Sequence, residues 1–398
     1  MSQPSLEKLV DKQFSAAVKL RRHLHRHPEL SFAEHETAKT IAAELKRIGC
    51  AVKTGIGRTG VVGTLKSGTG GRCVAIRSDM DALPVTEETG LPFASTNKGV
   101  MHACGHDSHM ATVVSTAATL SQLKDQWQGT IKLIFQASEE APPGGAIEMI
   151  REGVLRDPKV DMIFGLHVDP WIPVGRVGIK DGPMMAQVDD FDLTITGKSG
   201  HGARPHLGYD AIYIAAQVIN ALQSIASRNT DPLQPIVVTI GQIHGGTARN
   251  ILAGSVQLEG TLRTLDGKVS AKAKVLIQKI AKKTAAALGG DATVDFHAGY
   301  PALVNQKSAN DIYRKVIKQN FGARALVELK EPLMGGEDFA YFLQHVPGAM
   351  MRVGVRNPSL GATFAWHHPK FTIDERAIAV GTRVLSGAAM AFLNHPAA

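Results

Sequence analysis

Apolar residues recur every three or four positions from Leu6 to His25 and the run halts ahead of Pro28, which predicts an amphipathic helix. A second stretch of this kind, Glu34–Ile48, ends at Gly49. Short apolar runs at Val61–Leu65, Val74–Arg77, Ile131–Gln136 and Asp161–His167 predict strands, and His109–Leu123 and Ala146–Glu152 predict helices among them. Strands alternating with helices imply an α/β layer with a central, mostly parallel sheet. From Asp189 the period changes, and Phe191–Thr196 alternates in steps of two. A helix at Tyr209–Ser227, strands at Ile236–Ile243 and Val256–Thr264, a helix at Lys268–Ala287 and a strand at Ala292–Phe296 follow. That order, β-α-β-β-α-β, is the ferredoxin-like arrangement. The first pattern resumes after Tyr300 and closes with a helix from Glu375 to Leu393. The expected organisation is one α/β domain, residues 1–183 and 299–398, interrupted by an inserted α+β domain at 184–298.

The chain has 398 residues, enough for two cores. Hydrophobic residues make up 44% and charged residues 20%, which is ordinary globular usage and excludes a disordered or fibrous chain. The formal net charge is +8, but the basic residues are scattered and aromatics are few, so no nucleic-acid partner is expected. A mild positive balance suits small anionic substrates. No uninterrupted apolar run spans a bilayer, so no membrane partner is expected, and Met1–Val10 lacks a signal-peptide pattern. The cytoplasm is the expected compartment. Three cysteines, Cys50, Cys73 and Cys104, do not make a disulfide framework.

Candidate chemistry gathers just after predicted strands, where α/β sites form. Arg77-Ser78-Asp79-Met80-Asp81 sets two acids at i and i+2, able to face a cleft or to cap a turn. Met101-His102-Ala103-Cys104-Gly105-His106-Asp107-Ser108-His109 packs a cysteine and three histidines into one short segment. Thiolate and imidazole two residues apart can reach one metal. Asp107 can brace a ligand or cap the next helix. Ser138-Glu139-Glu140 crowds two carboxylates, which favours a nearby cation. His167, at the end of a strongly apolar strand, and Trp366-His367-His368-Pro369 complete a plausible ligand supply for two metals. In the inserted domain, the turn around His201, together with Asn250 and Arg263, offers donors for an oxyanion or a carboxylate. The backbone at Gly335-Gly336-Glu337-Asp338 can bind a carboxylate too, although a plain turn before a helix explains the same residues.

Taken together, these motifs resemble the aminoacylase, hippurate hydrolase and auxin-conjugate hydrolase family of dimetal amidohydrolases, related to glutamate carboxypeptidase. The likeness runs from His25-Arg26-His27-Pro28-Glu29-Leu30 to Phe371-Thr372-Ile373-Asp374-Glu375, nearly the whole chain. It implies metal-dependent hydrolysis of the amide bond of N-acyl amino acids, with a metallo-carboxypeptidase or dipeptidase on the same scaffold as the alternative. It implies two divalent ions per subunit, manganese or zinc, with cobalt and nickel as further candidates. Their ligands would be Cys104, His106, Glu140, His167 and one late histidine; the family motif places that histidine two residues before the proline, which selects His367. Glu139 would be the general base for a metal-activated water, with Asp79 and Asp81 in support. Asn250 and Arg263 would hold the substrate, and His201 would reach the site of a partner subunit. The inserted domain would serve as lid and dimer contact, giving a homodimer or a homotetramer. Two departures bear on substrate preference: Ala141-Pro142-Pro143 follows the glutamate pair where glycine is common, and Trp366 replaces a commonly aliphatic residue.

Overall fold

The computed structural model describes residues 5–395, so the N-terminal stretch read for a leader begins outside the described residues. The first helix, α1 (Leu6–Arg26), is capped by Ser5, whose hydroxyl accepts the Lys8 N–H. Its inward stripe carries Leu9, Val10, Ala17 and Leu24, and also the charged Arg21 and His25. Helix α2 (His35–Ile48) stops at Gly49, which takes the left-handed conformation.

Five strands come next, the last four in the predicted order: β1 (Ala51–Ile56), β2 (Gly60–Ser67), β3 (Cys73–Asp79), β4 (Gly129–Gln136) and β5 (Met162–Pro173). β1 is the one that hydropathy missed. It is the outermost strand and mostly exposed, so no apolar run marks it. The sheet runs β1-β2-β4-β3-β5, then Gly348–Arg356, Val177–Ile179 and Leu326–Glu328. β3 pairs in parallel with β4 and β5, and Gly348–Arg356 pairs in parallel with β5. The fold is thus α/β, with a parallel centre. β5 extends well past its predicted end. His167 lies inside it rather than at its tip, because pairing with Gly348–Arg356 continues through Val168 and Asp169.

Helix α3 (His106–Ser121) starts three residues before the predicted helix and is buried along nearly its whole length. The C-terminal helix, Arg376–Leu393, is long and apolar enough to cross a membrane by length and composition, interrupted by Arg383. It is 67% buried, and Val384, Leu385, Ala388 and Phe392 belong to the core, so it is accounted for as a core helix.

Contacts divide the chain into two compact units. The first holds this sheet and its helices, up to Gly182 and again at Val304–Glu331 and from Asp338. The second, Pro183–Leu303 with Pro332–Glu337, has an antiparallel sheet ordered Ile236–Gly245, Ser255–Thr264, Gln187–Thr196, Asp291–Ala298. The helices Ala211–Leu222 and Gly267–Ala287 complete the β-α-β-β-α-β order. The former is shorter than predicted, since the chain passes into a π turn at Ile225–Asn229. Phe191, Leu193 and Ile195 face this unit's own core while Asp190 and Asp192 are exposed, as the period of two requires.

Candidate metal centre

β3 delivers Asp79 and, just beyond it, Asp81, and the chain returns at Cys104 before α3 begins. Gly105 makes the turn. Its φ is +88°, and a Cβ there would lie 2.6 Å from Val168 Cγ2, so only glycine fits. This turn brings Cys104 and His106 round to β5, where Cys104, His106 and His167 each place a ligand atom within 4.8 Å of the others. Cys104 Sγ lies 3.4 Å from His167 Nε2.

The outward nitrogens fix the tautomers. His106 Nδ1 donates to the Asp81 carbonyl oxygen at 2.8 Å, and His167 Nδ1 donates to the Val168 carbonyl at 2.8 Å. A carbonyl only accepts, so in each neutral ring the lone pair sits on Nε2. His106 Nε2 is buried without a hydrogen-bond partner, and so is Glu140 Oε1, 3.7 Å away. With the ring neutral, two buried lone pairs would face one another here, which is unfavourable unless a proton or a metal cation lies between them.

Glu139 and Glu140 follow β4 through Ser138, whose φ is +51°. Glu139 is buried, and it shares a ligand-type group with His106 and Glu140. His367, φ +63°, is tied by its N–H to the Ala103 carbonyl at 2.9 Å, and its Nε2 is 3.5 Å from Glu140 Oε1. Cys104, Glu140 and His367 form a second group, so the Cys104 sulfur borders two clusters. His368 turns elsewhere: it stacks on Phe364 at 4.5 Å, and its Nδ1 accepts the Lys370 N–H.

Burial pushes the Cys104 thiol well above its ordinary value, and Glu140, Glu139 and Asp79 add to the effect. Burial also works against a charged His106, yet Asp79, Asp81 and Glu140 outweigh it and raise that ring to about 10. His167 is held well below the ordinary imidazole value by burial, then by His109 and Arg352. Asp79 lies well below the usual carboxylate range, because His106, His109 and Arg77 overcome its burial. A thiol and a protonated imidazole cannot ligate, whereas a divalent cation displaces both protons. The donor set and its orphaned atoms therefore fit a bound metal.

Several supporting residues were not anticipated. His109, counted in the cysteine motif but given no role of its own there, donates Nδ1–H to Asp79 Oδ1 at 2.7 Å and accepts the Val168 N–H on Nε2 at 3.0 Å. With both nitrogens engaged it braces Asp79 and has no lone pair for a metal, although it lies near Asp79 and His106. Arg77 donates to Asp79 Oδ2 at 2.7 Å, Asp338 Oδ1 at 2.8 Å and Gln136 Oε1 at 2.9 Å. Asp338 in turn accepts the Ala146 N–H at 3.1 Å. A Cβ on Gly144 would meet its Oδ2 at 2.3 Å, so the loop after Glu140 is pinned close against it. Asp107 does not cap α3. Its Oδ2 takes Arg21 Nε at 2.7 Å and His25 Nδ1 at 2.8 Å, while His25 Nε2 faces Glu87 at 3.1 Å. The available signal was two charged residues, Arg21 and His25, on the buried stripe of α1.

In the second unit, Gly200–His201 pairs with Ile251–Leu252, which sets His201 beside Asn250. Both are exposed, and His201 Nδ1 accepts the Ala203 N–H at 3.0 Å. Arg263 lies on the separate strand Ser255–Thr264 and donates to the Met334 carbonyl at 3.3 Å. Gly335 accepts the Ala186 N–H, and a Cβ on Gly336 would meet Val188 at 2.8 Å. These two glycines thus serve close packing within their own unit.

The chain is similar to proteins of known class. An N-acyl-L-amino acid amidohydrolase from Geobacillus stearothermophilus is 44% identical over 307 residues, 77% of this chain and 82% of that one. The thermostable carboxypeptidase 1 of Saccharolobus solfataricus is 40% identical over 95% of each chain. A crystal structure of a Bacillus subtilis protein, described as a dinuclear metal-binding peptidase of family M20, superposes with a TM-score of 0.84 at 34% identity, covering 96% of this chain and 99% of that one. Residues 75–391 match the profile of peptidase family M20/M25/M40, and the chain belongs to that family.

Proposed function

We propose that this protein hydrolyses the amide bond of N-acyl amino acids with two divalent ions held by Cys104, His106, Glu140, His167 and His367. One observation carries the reading: ligand atoms of all five residues converge in two groups sharing Cys104, with Glu139 alongside. The relative named as an N-acyl-L-amino acid amidohydrolase and the dinuclear structural relative support it.

Metal ions held by these five residues would acidify water and polarise the substrate carbonyl. Glu139 takes the proton from the attacking water and returns it to the leaving amine. Asp81 holds the His106 ring through its main-chain oxygen, and Asp79 lies beside it, tied to Arg77 and His109. His201 has Nε2 open for an oxyanion, and Asn250 beside it suits a substrate carbonyl or carboxylate. Arg263 is a further substrate contact in this reading, with Gly335 and Gly336 shaping the neighbouring turn. The thiolate favours zinc and the carboxylates suit manganese. Exposed Leu207, Tyr209, Ile212 and Tyr213 on the second unit favour a homodimer formed there. Three free cysteines suit a cytoplasmic location.

The carboxypeptidase relative supports a second reading, a peptidase on the same scaffold. A panel of N-acetyl and N-benzoyl amino acids set against dipeptides separates the two. Release of free amino acid from the acyl substrates supports the first reading, and cleavage of dipeptides alone replaces it with the second.

A further inference from the structure

Glu34 sits immediately ahead of α2 and is wholly buried, far in sequence from every residue of the metal centre. Its Oε1 accepts the Ser138 N–H at 2.8 Å, and its Oε2 accepts the Thr59 hydroxyl at 2.6 Å. Ser138 is the residue that turns β4 into the glutamate pair, and its φ of +51° is one that side chains with a Cβ rarely adopt. Such a conformation persists only where its surroundings hold it. Two residues on, the Glu140 N–H is held by Asp81 Oδ2 at 2.9 Å, and the Gly145 N–H closes on the Ser138 carbonyl at 3.0 Å. The backbone N–H groups on either side of Glu139 therefore each end on a buried carboxylate. Hydrogen bonds to a carboxylate are among the stronger ones a backbone N–H can make. Helix α2 does not account for Glu34, since its side chain makes no capping bond to that helix.

We propose that Glu34 is a positioning residue for the Glu139-Glu140 pair. It acts through the Ser138 backbone and never touches the substrate. Its effect on turnover rests on the hydrolase reading, but its effect on the backbone does not.

The test compares Glu34→Ala and Glu34→Gln with the wild-type chain, all metal-loaded. It measures kcat and KM on N-acetyl amino acids, metal content, and hydrogen exchange of residues 137–146. Glu34→Ala is expected to lower kcat by about 100-fold with KM little changed, the scale of a small misplacement of a reacting group. Its 137–146 amides are expected to exchange faster. In Glu34→Gln the amide oxygen still accepts the Ser138 N–H and the amide nitrogen donates to Thr59, so kcat returns to within a few-fold of wild type with an unchanged pH profile. Wild-type kcat and wild-type exchange in Glu34→Ala would overturn the proposal. So would equal damage in both variants, which makes charge the agent, or failure of both to fold. If the wild type hydrolyses nothing, the functional reading falls, while the exchange comparison still decides the role of Glu34.

Discussion

The Cys104 sulfur lies 3.4 Å from His167 Nε2, and that nitrogen carries the ring's lone pair because Nδ1 is bonded to the Val168 carbonyl. Two ligand-type atoms from α3's leading turn and from mid-β5 thus face one another in a buried place. Cys104→Ser is expected to weaken metal binding by more than about 100-fold, beyond the ~10–100-fold typical of residues behind the ligands. In cobalt-loaded protein the near-ultraviolet thiolate-to-metal absorbance should vanish with it. A variant that keeps that band and its affinity places the thiol outside the metal sites.

His109 is bonded at both nitrogens, to Asp79 Oδ1 and to the Val168 N–H. His109→Ala is therefore expected to lower activity or metal affinity by about 10–100-fold, the scale of a supporting residue, with the number of ions per chain unchanged. Loss of an ion in this variant, measured by elemental analysis, makes His109 a ligand and contradicts the geometry.

Glu139 is buried beside His106 and Glu140 but is assigned the proton rather than the metal. Glu139→Gln should keep its full metal content and lose about 100- to 10,000-fold in kcat, the usual range for a general acid–base group. Near-normal turnover with intact metal would remove Glu139 from that role.

Much of this architecture was legible because it is local. The alternation of Phe191–Thr196 showed which side chains face inward, and the spacing of Cys104, Gly105 and His106 showed that two ligands can turn onto one point. What was not legible depends on distant pairs. β1 is an exposed edge strand without an apolar run. β5 continues past His167 only because Gly348–Arg356 pairs with it. His109 counts as a brace only once the Val168 N–H is seen to occupy its second nitrogen. Arg77, Asp338 and Gln136 meet across more than half of the sequence, and no local period announces that.

His25 is clamped between Asp107 and Glu87, and this links α1 to the first turn of α3. Burial and Arg21 lower its pKa, but the two carboxylates win and raise it above the ordinary imidazole value. A raised folded-state value means the contribution to stability is complete below the unfolded pKa and is lost as pH rises through the folded one. His25→Gln is expected to cost about 3–5 kcal/mol in mildly acidic solution, the scale of leaving a buried partner unpaired. Urea unfolding at rising pH should show the gap narrowing above the ordinary imidazole range. A gap that stays constant or widens contradicts the charged assignment.

The central claim is that hydrolysis of N-acyl amino acids depends on ions held by the Cys104-centred groups. Its most direct test is turnover of an N-acetyl amino acid by metal-stripped protein as manganese or zinc is titrated back. The account predicts no turnover at the start and a rise that levels off at two ions per chain. Full turnover by the stripped protein, or none after metal is bound, would contradict it.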